Sequence, residues 1–426
     1  MVELVDSEAK IRFSPKILQR LGEELNPSID QGIIELVKNA YDADATRCDV
    51  WLDGGELEDS IVIEDDGAGM DATGIVAGWL VLGGSNKSTS NITRLGSRPA
   101  GNKGLGRLAA LRLGRIAAMI SRPGDGFEYS VEIDWDRFEG VDTVDDVALS
   151  IGQRRSSKAS GTRIELRGIR ASIGRIDVRR LARALVLLAD PFAEQPGGFS
   201  PALHTDAFAD LAKQVSSRYF DQAEYQLSAQ VENGIATATV RDWRGETLWT
   251  ATHSDLNRTA REELYELPDC DFDLWAFILN AQAYQTRTVQ LSAVREWLSS
   301  FGGVHVYVNG LRVAPYGNAG NDWLDMNLAR VRSPEERPGT NTSIGRVRVS
   351  DPADSLKQKT DRSGFLDTKA FSELQRFSKD ALNWMAQKRL EMAERKRRAA
   401  RTETHDKASK RSEEHTSELQ SPCNLV

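Results

Sequence analysis

The stretch Glu35-Leu36-Val37-Lys38-Asn39-Ala40-Tyr41-Asp42-Ala43-Asp44 decides how the rest of the chain is read. It lies in a run from Asp30 to Ala43 where Ile33, Ile34, Val37 and Ala40 recur on one face, so an amphipathic helix is expected. Glu35, Asn39 and Asp42 stand at i, i+4 and i+7 and share a face of that helix. Polar groups lined up beside an apolar stripe are costly unless a ligand or a network uses them. A carboxylate can orient a water as a base, and an amide oxygen suits a hard cation such as Mg²⁺. Taken alone the run would also suit an exposed helix face.

Three further motifs follow. Ile61-Val62-Ile63-Glu64-Asp65-Asp66-Gly67-Ala68-Gly69-Met70 reads as a strand entering a glycine-bearing turn. Its glycines let backbone approach a flat ligand, and an acid at the strand end can accept a hydrogen bond from an exocyclic amine such as adenine's. Gly101-Asn102-Lys103-Gly104-Leu105-Gly106-Arg107 opens a helix expected over Ala100 to Leu113. Glycine amides at a helix N-terminus form an anion cradle. It is neither a P-loop, lacking Gly-Lys-[Ser/Thr], nor a dinucleotide fingerprint, lacking an immediately preceding strand. Gly83-Gly84-Ser85-Asn86-Lys87-Ser88 imitates a P-loop but has Asn86 where glycine is required, so Gly83 to Pro99 reads as a lid. Ser160-Gly161-Thr162 opens another strand, with a hydroxyl able to reach an adenine edge.

In this order and spacing, over about residues 14–167, the four motifs resemble the GHKL nucleotide fold of gyrase B, heat-shock-ninety chaperones, histidine kinases and MutL. The resemblance implies an α+β protein with a Bergerat-type α/β sandwich ATPase domain, and ATP and Mg²⁺ as its ligands. Carried over residue by residue, Glu35 would activate the attacking water, Asn39 would bind Mg²⁺, and Asp65 rather than Asp66 would hydrogen-bond adenine. Asp42, Gly67, Gly69, Met70 and Thr162 would line the base pocket. Gly101, Lys103, Gly104, Leu105 and Gly106 would wrap the phosphates, joined by Lys87 from the lid. Ser355 to Phe365 resembles the loop that transducer domains of chaperones and MutL-like proteins extend to the γ-phosphate. Arg362 is the first choice there and Lys359 the second for a cation that neutralises charge in phosphoryl transfer; a basic surface turn is the alternative. Gly303 to Gly317, followed by Asn321-Asp322-Trp323-Leu324, is similar to a stretch of uncharacterised bacterial stand-alone GHKL proteins, and a structural hairpin is expected.

The organisation expected is an ATP-binding domain over 1–195, a transducer-like α/β domain over 200–365 and a charged helix over 366–410. The first boundary falls at Gln195-Pro196-Gly197-Gly198-Phe199-Ser200-Pro201, and the helix shows as Phe371, Leu374, Ser378, Leu382 and Met385 at three- and four-residue spacing. Strands are expected at Cys48 to Leu52, Arg115 to Ser121, Phe127 to Ile133, Thr162 to Arg167, Tyr225 to Arg241 and Val304 to Val308, and helices at Ile17 to Leu25 and Ser292 to Ser300. Arg411 to Ser421 translates, codon by codon, from a common sequencing-adapter text, so 411–426 is expected to be an artefact and the natural C-terminus to lie elsewhere.

A net charge of −8 argues against a whole-surface nucleic-acid binder. Lys388 to Lys410, however, holds nine Lys or Arg against four acids, which suits a solvated helix end or contact with nucleic acid or a partner helix. Cys48, Cys270 and Cys423 show neither metal-ligand nor disulfide spacing. The acidic N-terminus and the lack of any run near 20 apolar residues point to a cytoplasmic protein off the membrane. A sensor histidine kinase would place a phospho-accepting histidine ahead of this domain, and the first histidine is His204. Two classes remain. One is an ATP-gated homodimeric machine acting on DNA or in phage defence, as MutL and the MORC proteins do. The other is a chaperone-like ATPase with protein clients.

Overall fold

A computed structural model of the chain describes residues 13–17, 28–52, 60–81, 113–170, 172–192, 198–216, 219–258, 263–285, 287–333, 336–359 and 363–419. The expected lid and phosphate loop, with Lys87, Gly101, Lys103, Gly104, Leu105 and Gly106, lie outside the described residues, as do Arg362 and the helix expected at Ile17 to Leu25 beyond its first residue.

The helix read from the opening stretch is α1 (Ile29–Asp42), which buries Ile33, Leu36, Val37 and Ala40. It ends where Ala43 turns back onto the Asn39 carbonyl and Asp44 takes a φ of 57°. The strands β1 (Arg47–Leu52), β2 (Ser60–Asp65), β3 (Gly114–Arg122), β4 (Phe127–Asp134), β5 (Ile151–Arg155) and β6 (Gly161–Ile169) follow, then α2 (Arg175–Val186), β7 (Ser200–Leu203) and α3 (Asp206–Ser216). They form one sheet in the order β5-β4-β3-β6-β2-β1-β7. Every pairing is antiparallel except β1 with β7.

Alternation sorts the two faces of this sheet. Val50, Ile61, Ile63, Met119, Ile164 and Leu166 point at the helices and join their core. The opposite face carries Glu64, Arg163, Arg167 and Glu132 in cross-strand ion pairs such as Arg163–Glu64 at 3.1 Å. Burying Ile33, Leu36 and Val37 contributes about 1.5–3 kcal/mol each, whereas solvent-facing ion pairs contribute about 0–1. Helix packing therefore holds this half together, and the charged ladder keeps its outer face wet. The result is the expected α+β layering, helices on one sheet face.

The second sheet is built from β8 (Tyr225–Glu232), β9 (Ile235–Asp242), β10 (Thr247–Ala251), β11 (Cys270–Ala276), β12 (Gly303–Val308), β13 (Leu311–Arg312) and β14 (Ser343–Val349), in the order β10-β9-β8-β11-β14-β12-β13. Only β12 and β14 run parallel. The apolar run from Tyr225 to Arg241 is broken into a hairpin at Asn233 and Gly234, both with positive φ. The helices α4 (Leu291–Phe301), α5 (Met326–Arg332) and α6 (Lys369–Leu419) complete the chain. The last starts three residues after the expected 366 and runs past 410. Its early turns bury Phe371, Leu374, Phe377, Leu382 and Met385 in the second core.

The two halves meet in a packed seam. Phe192 contacts Trp297 and Phe301 of α4 edge-on, at ring separations of 6.4 and 6.5 Å. The buried Arg346 guanidinium reaches Asp190 at 3.0 Å. Residues just past the proline-glycine boundary also lie on the first sheet, because β7 pairs with β1 from Arg47↔Ser200 to Val50↔Leu203. No helix of the described residues is long and apolar enough to cross a membrane.

Candidate nucleotide site

The end of β2 is stitched to the end of α1. The Ala68 amide donates to the Ala43 carbonyl at 2.8 Å and the Asp66 amide to Arg47 at 3.3 Å. The two adjacent acids are then used differently. Asp66 is fully engaged: Oδ1 accepts from the Thr46 and Arg47 amides at 2.8 Å each, and Oδ2 accepts the Thr46 hydroxyl at 2.5 Å. Burial works against its charge, but those donors outweigh it and hold its carboxyl below the usual range. Asp65 uses one oxygen only: Oδ1 accepts from the Gly67 amide at 2.9 Å and the Thr162 amide at 3.3 Å. No donor reaches its Oδ2 among the described residues. Burial pushes the Asp65 carboxyl up to about 6, against the pull of the two amides.

Thr162 stands directly across from Asp65 in the β2–β6 register. Its hydroxyl lies 3.1 Å from Ser121 Oγ, which accepts the Met70 amide at 2.7 Å. Asp65, Gly67, Met70 and Thr162 are thus brought into one network with Ser121, which sequence reading missed. Its signal was parity: Ala117, Met119 and Ser121 share the inward face of β3, and a hydroxyl there needs a partner.

Gly69 marks a close backbone approach. At φ +66° its Cβ would stand 2.1 Å from the Arg122 carbonyl. Gly69→Ala should therefore separate the turn from β3 and cost roughly 2–4 kcal/mol. Urea unfolding measures this, and an unchanged midpoint would contradict the approach.

On α1, Glu35 is 6% exposed, with the Lys38 ammonium 3.4 Å from its Oε1. Asn39 and Asp42 are half-buried. Burial pulls the Lys38 ammonium down to about 8, Asp42 opposes the drop, and Arg312 of the second sheet adds to it. An amide oxygen at Asn39, with two carboxylates on the same helix, is a donor set that fits a hard ion. Among the described residues there is no group of three His, Cys, Asp or Glu placed to hold a metal alone. An ion held by Asn39 would take its other ligands from phosphate and water.

The Lys359 amide donates to the Gly364 carbonyl at 2.9 Å, and Gln358 bridges Phe365 in antiparallel sense. The Phe365 amide donates to the Tyr316 hydroxyl at 2.9 Å, which ties this segment to the Gly303 to Gly317 stretch.

Residues 28–162 match the model of the histidine kinase-, DNA gyrase B-, and HSP90-like ATPase family. About a third of the chain is therefore similar to a GHKL-type ATPase domain. The protein named "Putative type II restriction enzyme HgiDII" from Herpetosiphon aurantiacus is 35% identical over 174 residues, covering 40% of this chain and 27% of that protein. The chain thus spans about a quarter of the length of that relative.

Proposed function

We propose that the protein hydrolyses ATP to ADP and phosphate in a Mg²⁺-dependent reaction at this site. The observation that carries the reading is the division of labour between neighbouring acids: Asp66 braces the turn while Asp65 keeps one oxygen for a ligand amine. Asp65 Oδ2 accepts from adenine N6, and Asp42, Gly67, Gly69, Met70 and Thr162 surround the base. Glu35 orients a water toward the γ-phosphorus and takes its proton as the new P–O bond forms and the bond to the ADP oxygen breaks. Asn39 would hold Mg²⁺, which when bound neutralises phosphate charge. Lys87, Gly101, Lys103, Gly104, Leu105 and Gly106 hold the phosphates, and Arg362 or Lys359 supplies a cation from the second half.

The wider role we infer is a DNA-related or phage-defence machine, in which ATP closes the 83–99 segment as a lid and favours a homodimer. A nucleotide shifts such an equilibrium only through differential affinity for the two states. Likeness to a protein named as a restriction enzyme supports the DNA side, as do the exposed cations of α6 from Arg395 to Arg401. Phosphate release should stop when EDTA removes Mg²⁺, and Asn39→Ala should reduce turnover at least about tenfold even at high Mg²⁺, since altering even the partners of a metal's ligands costs about 10–100-fold. Turnover that ignores both EDTA and Asn39→Ala would exclude this assignment.

A further inference from the structure

The β9–β10 turn and the far end of α6 have no part in the chemistry proposed above. The turn is tightly built. The Gly245 amide donates to the Asp242 carbonyl at 3.0 Å, the Asp242 amide donates to the Glu246 carbonyl at 3.0 Å, and Gly245 takes a φ of 82°. Asp242 Oδ1 accepts from the Arg244 and Glu246 amides at 2.9 Å each, so this carboxylate is taken up in holding the turn. Trp243 and Arg244 occupy the two middle positions. The Trp243 ring is 55% exposed, and the Arg244 guanidinium lies 4.7 Å from its centre. A large aromatic ring fixed at a turn tip, in water and with a cation on one face, is a stacking platform for a flat ligand.

α6 brings positive charge to the same edge, because its course follows β9. Near the β8–β9 hairpin, the Tyr265 amide donates to the Gly234 carbonyl and the Tyr265 hydroxyl donates to Asp380 of α6, both at 2.9 Å. At the other end, the Arg389 guanidinium lies 4.7 Å from the Tyr225 ring centre, and Tyr225 pairs with Asp242, the first residue of the turn. From Asp380 to Arg389 the helix therefore travels from the Gly234 end of β9 to the Asp242 end. Six more residues, about 9 Å of helix, carry it to Arg395. There Arg395, Lys396, Arg397, Arg398 and Arg401 stand exposed, with no acid between them. Of the acids just before, Glu391 lies 3.3 Å from Lys388 and Glu394 lies 3.9 Å from Arg398. Against these cations and Arg244 stand Glu246, Glu394 and the engaged Asp242, so the edge is net positive.

The geometry points to this edge as a binding surface for single-stranded DNA. An unpaired base stacks on the open face of Trp243, opposite the Arg244 guanidinium, and the backbone phosphates run to Arg395, Lys396, Arg398 and Arg401. The cations suit phosphate in any sequence, whereas a base offers its face to a side chain only when it is out of the duplex stack. This rests on the DNA-related reading above and gives it a location. The surface lies at the β10 edge of the second sheet, the opposite edge from β13, whose Leu311 is buried in the core of the nucleotide half.

Fluorescence anisotropy of the full chain tests it with a labelled oligo(dT), the same strand made abasic throughout, and a duplex. Trp243→Ala is expected to weaken oligo(dT) binding at least about fivefold, the low end of what one base–aromatic stack contributes. Trp243→Phe keeps a ring and should recover most of that loss. On the abasic strand, which keeps its phosphates, Trp243→Ala should bind as the wild type does. Combined Arg395→Gln, Lys396→Gln, Arg398→Gln and Arg401→Gln should weaken both single strands. It should also flatten the slope of log Kd against log salt by about 2–3, since each phosphate contact on a single strand adds about 0.7. All these side chains are exposed, so matched unfolding midpoints separate lost binding from lost fold. Wild-type affinity for oligo(dT) in Trp243→Ala overturns the inference. So does a Trp243→Ala loss that persists on the abasic strand, or an unchanged salt slope in the Gln variant. A wild-type protein that binds the duplex but not the single strand overturns it too, and leaves the DNA-related reading standing. A wild-type protein that binds neither removes that reading and the inference with it.

Discussion

Glu35→Ala is expected to bind ATP about as well as the parent and to lose about 10²–10⁴-fold in turnover, the contribution of a positioned general base. Glu35 sits on the buried side of α1, next to the Ile33, Leu36 and Val37 stripe, so its position is set by helix packing and survives truncation. The side chain that suffers is Lys38, whose ammonium loses its neighbour 3.4 Å away. Removing one partner of a buried pair costs about 3–5 kcal/mol when the other is left uncompensated. Asp42 also faces Lys38, which limits that cost. Glu35→Gln keeps an acceptor for Lys38 and cannot take a proton, so it should match Glu35→Ala in turnover while retaining parental stability. Single-turnover phosphate release with matched unfolding curves checks both. Normal release in either variant would remove Glu35 as the base.

Asp65→Asn should weaken ATP about 10–100-fold, since a buried hydrogen bond to a charged group contributes about 1.5–3 kcal/mol. The Gly67 and Thr162 amides both point at Oδ1, so they fix the orientation of the new amide. Its NH₂ then takes the place of Oδ2 and sets a donor against the donor of adenine. The same change should stabilise the ligand-free domain. An acid whose folded pKa is raised stabilises the fold fully below its ordinary value, 3.8 here, and loses that contribution as pH rises through about 6. At pH 7 the wild-type domain has lost it, which is on the order of 3 kcal/mol at about 1.36 per unit. Asp65→Asn should recover roughly 1–3 kcal/mol of this at pH 7 and nothing at pH 4. ATP affinity of the wild type should fall as pH drops through 6 and the carboxylate protonates, while that of Asp65→Asn should not. Thermal melts from pH 4 to 8, and affinities over the same range, give both curves. Equal stability changes at pH 4 and pH 7 would rule out a buried charge as the cause.

The nucleotide half was legible in the sequence where local pattern carries the information. Helical spacing points to α1, and a strand running into Asp65-Asp66-Gly67-Ala68-Gly69 points to the turn at the end of β2. Long-range pairing was not legible. The four-residue β7 follows a proline-glycine break that reads as a boundary, and only its parallel pairing with β1 puts it on the first sheet. The central strands of the second sheet, β11 and β14, are absent from the sequence expectations, although β11 alternates buried and more exposed positions. Tyr225 to Arg241 reads as one apolar strand-like run, although Asn233-Gly234 within it is a hairpin signal. Tyr41 and Asn309 are 268 positions apart in the chain, and no local pattern announces the hydrogen bond between them. Ser121 and Lys38 share a lesson: a polar side chain at a core-facing position marks a network whose other members only the fold supplies.

Calorimetric titration of ATP with Mg²⁺ into the wild-type protein at pH 7.5, beside Asp65→Asn, tests the nucleotide site most directly. Saturable one-to-one binding that weakens at least tenfold in Asp65→Asn is expected, at the low end of what one charged hydrogen bond contributes. Absence of binding to the wild type would contradict an ATP site in this fold.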